Sequence, residues 1–183
     1  MKNYSILLLF AVLTLMAGCS DTANLKWNKV EKGTFSFMIP DIIEERTDLN
    51  EEADLQYGNL IKEVYVVVLE EPVSEVDPFF ADTLLGNGQP PMEQYSDLIY
   101  NQFSETGEVE VTQISERERK VNTTHDVHTW NCTAKNNGFD AYYEFAVYRS
   151  EKSYYQVIAW TLLERKDKYK DVLQKMVNSL QPL

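Results

Sequence analysis

The run Leu60-Ile61-Lys62-Glu63-Val64-Tyr65-Val66-Val67-Val68-Leu69 constrains the fold of this chain more than any other stretch. Its β-branched and aromatic side chains suit a pleated backbone, so the run predicts a strand. The second half is apolar at nearly every position. A strand with one wet face alternates apolar and polar residues, whereas one that is apolar throughout needs cover on both faces. The sheet that holds it must therefore be packed on both sides.

Other strand signals surround it. Thr34-Phe35-Ser36-Phe37-Met38-Ile39 starts as an alternating run and is stopped by Pro40, which cannot continue a ladder. Residues Val109–Arg119 and Val121–Ala134 predict two further strands. Asn136-Asn137-Gly138 then supplies the positive φ of a tight hairpin. Phe139–Arg149 and Tyr154–Leu163 complete an antiparallel meander across the short polar turn Ser150–Ser153. Three helices interrupt the strands. Tyr169, Val172, Leu173, Met176, Val177 and Leu180 form one apolar helical stripe, and Met92, Tyr95, Leu98, Ile99 and Phe103 form a weaker one after Pro90-Pro91. A short helix is expected from Asp77 as N-cap, with Pro78 in its first turn, to Gly86. Together these predict an α+β fold, a single antiparallel β-sheet flanked by helices.

Two segments carry a family resemblance. The opening strand Thr34–Pro40 looks like the first strand of the PsbP-like (Mog/PsbP) α/β/α sandwich proteins. So does the close, Tyr154-Tyr155-Gln156-Val157-Ile158-Ala159-Trp160-Thr161 followed by the Tyr169–Leu180 helix. The resemblance covers most of the chain in element order. It implies accessory and protein-binding roles rather than catalysis, and it brings no catalytic residues to carry over.

The first residues read as an address. Lys2 precedes the apolar run Ile6–Leu13, which is too short for a bilayer that needs about 20 apolar residues, and the pattern is that of a secretory signal. Met16-Ala17-Gly18-Cys19 resembles the bacterial lipobox. That motif implies cleavage before Cys19, diacylglycerol on its sulfur and acylation, for example with palmitate, of its new amine. An ordinary signal peptide with a chance cysteine is the plainer alternative. The expected organisation is a lipoprotein signal peptide over residues 1–18, a lipid-anchored tether over 19–24 and a single α+β domain over 25–183. Ser20–Asn24 reaches at most about 17 Å, which holds the domain near the membrane. By resemblance to enteric lipoproteins, Ser20 is no inner-membrane retention signal. The expected location is the cell envelope, in the outer membrane of a Gram-negative organism, facing periplasm or cell surface.

Composition narrows the partners. The formal net charge is −12, and the signal contributes only Lys2 to it. Such acidity disfavours nucleic acid, whose phosphates need clustered Lys and Arg, and an anionic leaflet, which attracts basic segments. Two cysteines are present. With Cys19 acylated, Cys132 has no intramolecular partner, so packing must supply the stability.

The chemical motifs are sparse. His125-Asp126-Val127-His128 is the one histidine cluster, but residues three apart on a strand point to opposite faces, so convergence on a metal would need a bulge or loop. No nucleophile elbow accompanies His125 and Asp126. The acidic stretch Asp41–Asp54 lacks the glycine and spacing of a calcium loop, and Gly86-Asn87-Gly88 lacks the Lys-Ser/Thr of a phosphate loop. No catalytic residue, metal or cofactor is expected. The long connection Glu71–Gln89 carries Phe79 and Phe80, which either cap the sheet or border a cleft. On the Phe139–Arg149 strand, Tyr143, Phe145 and Val147 share the expected core face. Tyr142 and Tyr148 lie on the other, expected to be exposed. Phe79, Phe80, Tyr142 and Tyr148 are thus the candidate partner contacts. The sequence predicts a non-catalytic accessory or protein-binding module of the envelope, with another envelope protein as its partner. The rival is a hydrolase-type enzyme, or a small-molecule or glycan-binding protein, whose site forms only in three dimensions.

Overall fold

The computed structural model describes residues 22, 24–81, 88–105, 110–121, 125–136 and 138–183. The first half of the chain gives strands β1 (Trp27–Lys32), β2 (Phe35–Pro40), β3 (Glu44–Glu45), β4 (Leu55–Asn59) and β5 (Val64–Pro72), then helices α1 (Val73–Ala81) and α2 (Pro91–Glu105). The second half gives β6 (Glu110–Ile114), β7 (Glu118–Val121), β8 (Asp126–Asn136), β9 (Phe139–Arg149) and β10 (Ser153–Leu162). A 3-10 turn over Leu163–Arg165, helix α3 (Lys166–Val177) and β11 (Gln181–Pro182) close the chain.

The strand that demanded cover on both faces lies inside an antiparallel sheet of order β3-β4-β5-β10-β9-β8-β6, with β7 also paired to β8. Its apolar run is realised from Val64 onward; Leu60–Glu63 form a turn instead. The reason is local: Asn59 Oδ1 accepts from the Ile61 and Lys62 amides, and Glu63 takes the left-handed φ of 54° that reverses the chain. One face of this sheet packs against α1 and α2 through Val76, Met92, Tyr95, Trp130, Tyr143 and Phe145. The opposite face buries Val64, Val66, Val68, Ala146, Val157 and Ala159 against Leu173 and Met176 of α3. The fold class is therefore the α+β arrangement expected.

The opening strand sits elsewhere than in that sheet. β2 lies between β1 and β11 in a small antiparallel sheet on the α3 side. Gly33, at φ 55°, turns β1 into β2. Phe35, Phe37 and Ile39 are buried in the same core as α3, and Ser179 Oγ accepts from the Met38 amide. Helix α1 also starts earlier than expected. The Val73 amide donates to Lys152 O, so the helix begins as the chain leaves β5, and Pro78 falls inside it. The described part of the Glu71–Gln89 connection caps the sheet: Val76 is buried, and Asp77 accepts from Arg149 (2.7 Å) and from the Tyr154 hydroxyl (2.6 Å).

Candidate functional site

Because the sheet is covered on both sides, both faces of β9 are interior. Tyr142 and Tyr148, expected to be exposed, are instead buried. Their face meets α3, and β9 lies between β8 and β10. The Tyr148 hydroxyl donates to Val177 O at the end of α3 (2.7 Å), and Lys166 Nζ lies 4.5 Å from the Tyr142 ring centroid. Neither ring is offered to a partner. Phe80 is half-buried against the α1–α2 core, which leaves Phe79 as the exposed member of the four. Cys19 lies outside the described residues.

The residue that this burial singles out is Glu144, between Tyr142 and Ala146 on the α3 face. It is only 4% exposed. Its Oε1 accepts from the Tyr142 hydroxyl and from Gln174 Nε2 of α3 (3.0 Å). Among the described residues neither bond falls on Oε2, and the side chain lines a cleft of about 220 Å³ between α3 and the β7–β8 edge. Thr129 and Asn131 of β8, Gln174 and Asn178 of α3, and Glu118 of β7 form its walls. Burial pushes the Glu144 carboxyl above the usual carboxylate range; the Tyr142 and Gln174 hydrogen bonds and the Lys170 and Lys166 charges pull the other way. Burial raises the Tyr142 phenol as well, so that it stays a neutral donor.

This arrangement has two chemical uses. As an anion, Glu144 presents its carboxylate to a cationic group entering the cleft. As a neutral acid it can donate a proton, the usual consequence of a carboxyl desolvated in a cleft. Among the cleft-lining residues Glu116, Glu118 and Glu144 outnumber Lys120, while Lys166 and Lys170 of α3 partly offset the Glu144 charge from outside it.

The two histidines are separated by the sheet. His125 packs its ring 5.3 Å from that of Tyr148 on the α3 side. His128 faces α2, its Nε2 3.8 Å from Glu93 Oε1, and burial lowers its pKa. Among the described residues no group of three His, Cys, Asp or Glu side chains is placed to hold a metal ion. The acidic stretch is a knitted turn: Gln56 Oε1 accepts from the Leu49 and Asn50 amides, and Arg46 pairs with Asp48 at 2.6 Å. Gly88 has φ 80°, and Gly86 and Asn87 lie outside the described residues.

Sequence reasoning missed Glu144 by treating its face as solvated. A usable signal was present: Tyr142, Ala146 and Tyr148 flank it on a face of a central strand, a composition that suits packing and leaves one carboxylate out of place.

The fold thus defined is that of the PsbP-like proteins. The chain is similar to the solution structure of cyanobacterial PsbP (CyanoP) from Synechocystis sp. PCC 6803, with a TM-score of 0.61 and 12% identity over 92% of this chain and 99% of that one. It is more distantly similar to LpqN of Mycobacterium tuberculosis, described as involved in cell envelope biogenesis, with a TM-score of 0.44 and 11% identity over 91% of this chain and 95% of that one. No protein-family model and no curated protein matches the sequence. Among the described residues no helix is long and apolar enough to cross a membrane.

Proposed function

We propose that this chain is a lipid-anchored protein of the cell envelope and a non-catalytic accessory that binds another envelope protein. The Glu144 cleft is its recognition site and a basic side chain of the partner is what enters it. The observation that supports the binding role is the Glu144 carboxylate itself, nearly buried, hydrogen-bonded on Oε1 to Tyr142 and Gln174, and lining the cleft. Burying a carboxylate costs free energy unless an opposite charge completes it, so a lysine or arginine entering the cleft recovers what folding gave up. Anchoring is supported by Met16-Ala17-Gly18-Cys19 at the end of the apolar run, since two or more acyl chains give stable attachment.

A photo-cross-linker placed at Asn178, on the cleft wall, tests the binding role in cells. The expected result is a reproducible protein adduct that weakens in Glu144→Gln and at raised salt. A second reading is favoured by the raised carboxyl pKa: an enzyme using Glu144 as a proton donor. Turnover of a small molecule by the purified protein, abolished in Glu144→Gln and without an adduct at Asn178, would establish that reading instead.

A further inference from the structure

We propose that the end of the main sheet beside the first described residues faces the bilayer, and that Leu60, Ile61, Phe139 and Leu163 dip into the headgroup region there. The inference rests on the lipid anchor at Cys19 proposed above, and adds to it a specific contact surface for a lipid interface.

Four of the seven exposed large apolar side chains among the described residues come from three segments that meet at one end of the main sheet. The register places them: Val64 pairs with Thr161, Leu162 with Ala141, and Asn136 with Phe139. The β4–β5 turn carrying Leu60 and Ile61, Phe139 at the start of β9, and Leu163 just after β10 therefore share that end. With strands about 4.8 Å apart, the span from β5 to β8 is about 15 Å, so these side chains form one group. Singly exposed apolar residues need no explanation, but a group of them does. Ile61 is 86% and Phe139 66% exposed.

The turn is held in place. Asn59 Nδ2 donates to Ile42 O (2.7 Å), Arg165 Nη1 donates to Ile61 O (3.1 Å) and Lys62 O (3.2 Å), and Arg165 Nε pairs with Glu63 at 2.9 Å. Two adjacent aliphatic side chains are thereby fixed in water, where they gain nothing from folding.

The first described residues also lie at this end. The Asp41 amide donates to Lys26 O (2.9 Å), next to the Ile42 that Asn59 holds. Thr22, Leu25 and Trp27 share a cleft that runs along α3 from Asp167 and Lys168 to Lys175, whose Nζ lies 4.0 Å from the Trp27 ring centroid. Thr22 is three residues from Cys19, a reach of about 10 Å. An acyl group on Cys19 would thus draw this end against the bilayer. The insertion depth of interfacial apolar groups, about 5–10 Å, is within what these side chains need. Lys26, Lys62, Lys166 and Arg165 accompany the apolar group, whereas the chain as a whole is acidic. Asp41, Glu63, Glu164 and Asp167 in the same segments offset those cations, so a zwitterionic interface suits this end better than a strongly anionic one.

The test uses the full chain produced in cells, purified in detergent and reconstituted into phosphatidylcholine vesicles with or without brominated acyl chains, which quench nearby tryptophan. Ile61→Trp reports the proposed contact. Glu151→Trp, in the exposed β9–β10 turn at the opposite end of the sheet, is the control. Mass spectrometry of the same samples reads acylation of Cys19. The expected result is an acylated Cys19 and bromine-dependent loss of emission in Ile61→Trp beyond the wild-type protein, with none added in Glu151→Trp. An acylated chain without that excess loss overturns the membrane contact and leaves the anchor standing, as would emission in Ile61→Trp shielded equally with and without bromine, the sign of a second copy or another protein. An unmodified Cys19 overturns the anchor and this inference with it.

Discussion

Replacing Tyr148 separates a buried β9 face from a solvated one more sharply than any other substitution. Tyr148 is 2% exposed and sits in the core shared by Val127, Ala146, Tyr155, Val177 and Leu180. Its hydroxyl donates to Val177 O, a carbonyl in the last turn of α3 that has no partner within the helix. Tyr148→Phe keeps the ring and orphans that carbonyl, a cost of about 1–2 kcal/mol. Tyr148→Ala removes the ring too and opens a cavity, for about 3–5 kcal/mol. At roughly 2–4 °C per kcal/mol for a domain of this size, the melting point should fall by about 2–8 °C for Phe and about 6–20 °C for Ala. Urea unfolding followed by circular dichroism measures both, with the slope m unchanged if only the native state is affected. An exposed tyrosine would give changes within about 0.5 kcal/mol for either substitution. Equality of Tyr148→Ala with the wild type would refute the layered packing of β9 against α3.

Three further outcomes are expected. Glu144→Gln should be more stable than the wild type at pH 7, on the order of 1 kcal/mol, because its amide oxygen keeps the Tyr142 and Gln174 bonds without burying a charge. The folded carboxyl titrates above its ordinary 4.5, so the wild type loses stability as pH rises from 4.5 through the folded value; the advantage of the variant should vanish below pH 4.5 in parallel urea titrations. Burial pushes the Cys132 thiol up to about 12, so in Cys19→Ala a maleimide should label it slowly at pH 8 in buffer and rapidly in urea. Fast labelling of the folded protein would contradict its burial. Thermal melts with and without chelator should coincide, and a fall of many degrees in chelator would implicate His125–His128 or Asp41–Asp54.

The legible parts of the fold were those in which periodicity and cover agree. The α3 stripe from Tyr169 to Val177, the β9–β10 pair and the strand from Val64 onward follow directly from residue pattern. The small sheet was not legible as such. Trp27–Lys32 is a half-exposed edge strand with little apolar signal, and β11 has two residues held through the Leu183 amide and Thr34 O, a long-range contact no local pattern announces. Turn chemistry overrode β propensity at Leu60–Glu63, where Asn59 and Arg165 capture the backbone. The candidate site was obscured by one error of solvation. A strand assumed to have a wet face makes Tyr142 and Tyr148 contacts and Glu144 a surface charge; a second layer over that face reverses all three. Periodicity gives the alternation of side chains, but which faces are covered is decided by α3, more than 20 residues further along the chain than Glu144.

Anchoring through Cys19 is the claim on which location, partner and orientation all depend, and metabolic labelling with a fatty acid tests it most directly. Cells producing the wild-type chain and Cys19→Ala are labelled, fractionated and probed for the protein. The account predicts label and membrane association for the wild type, and neither for a folded Cys19→Ala protein. Label retained on Cys19→Ala, or a wild-type chain that is unlabelled and released from the membrane fraction, would contradict it.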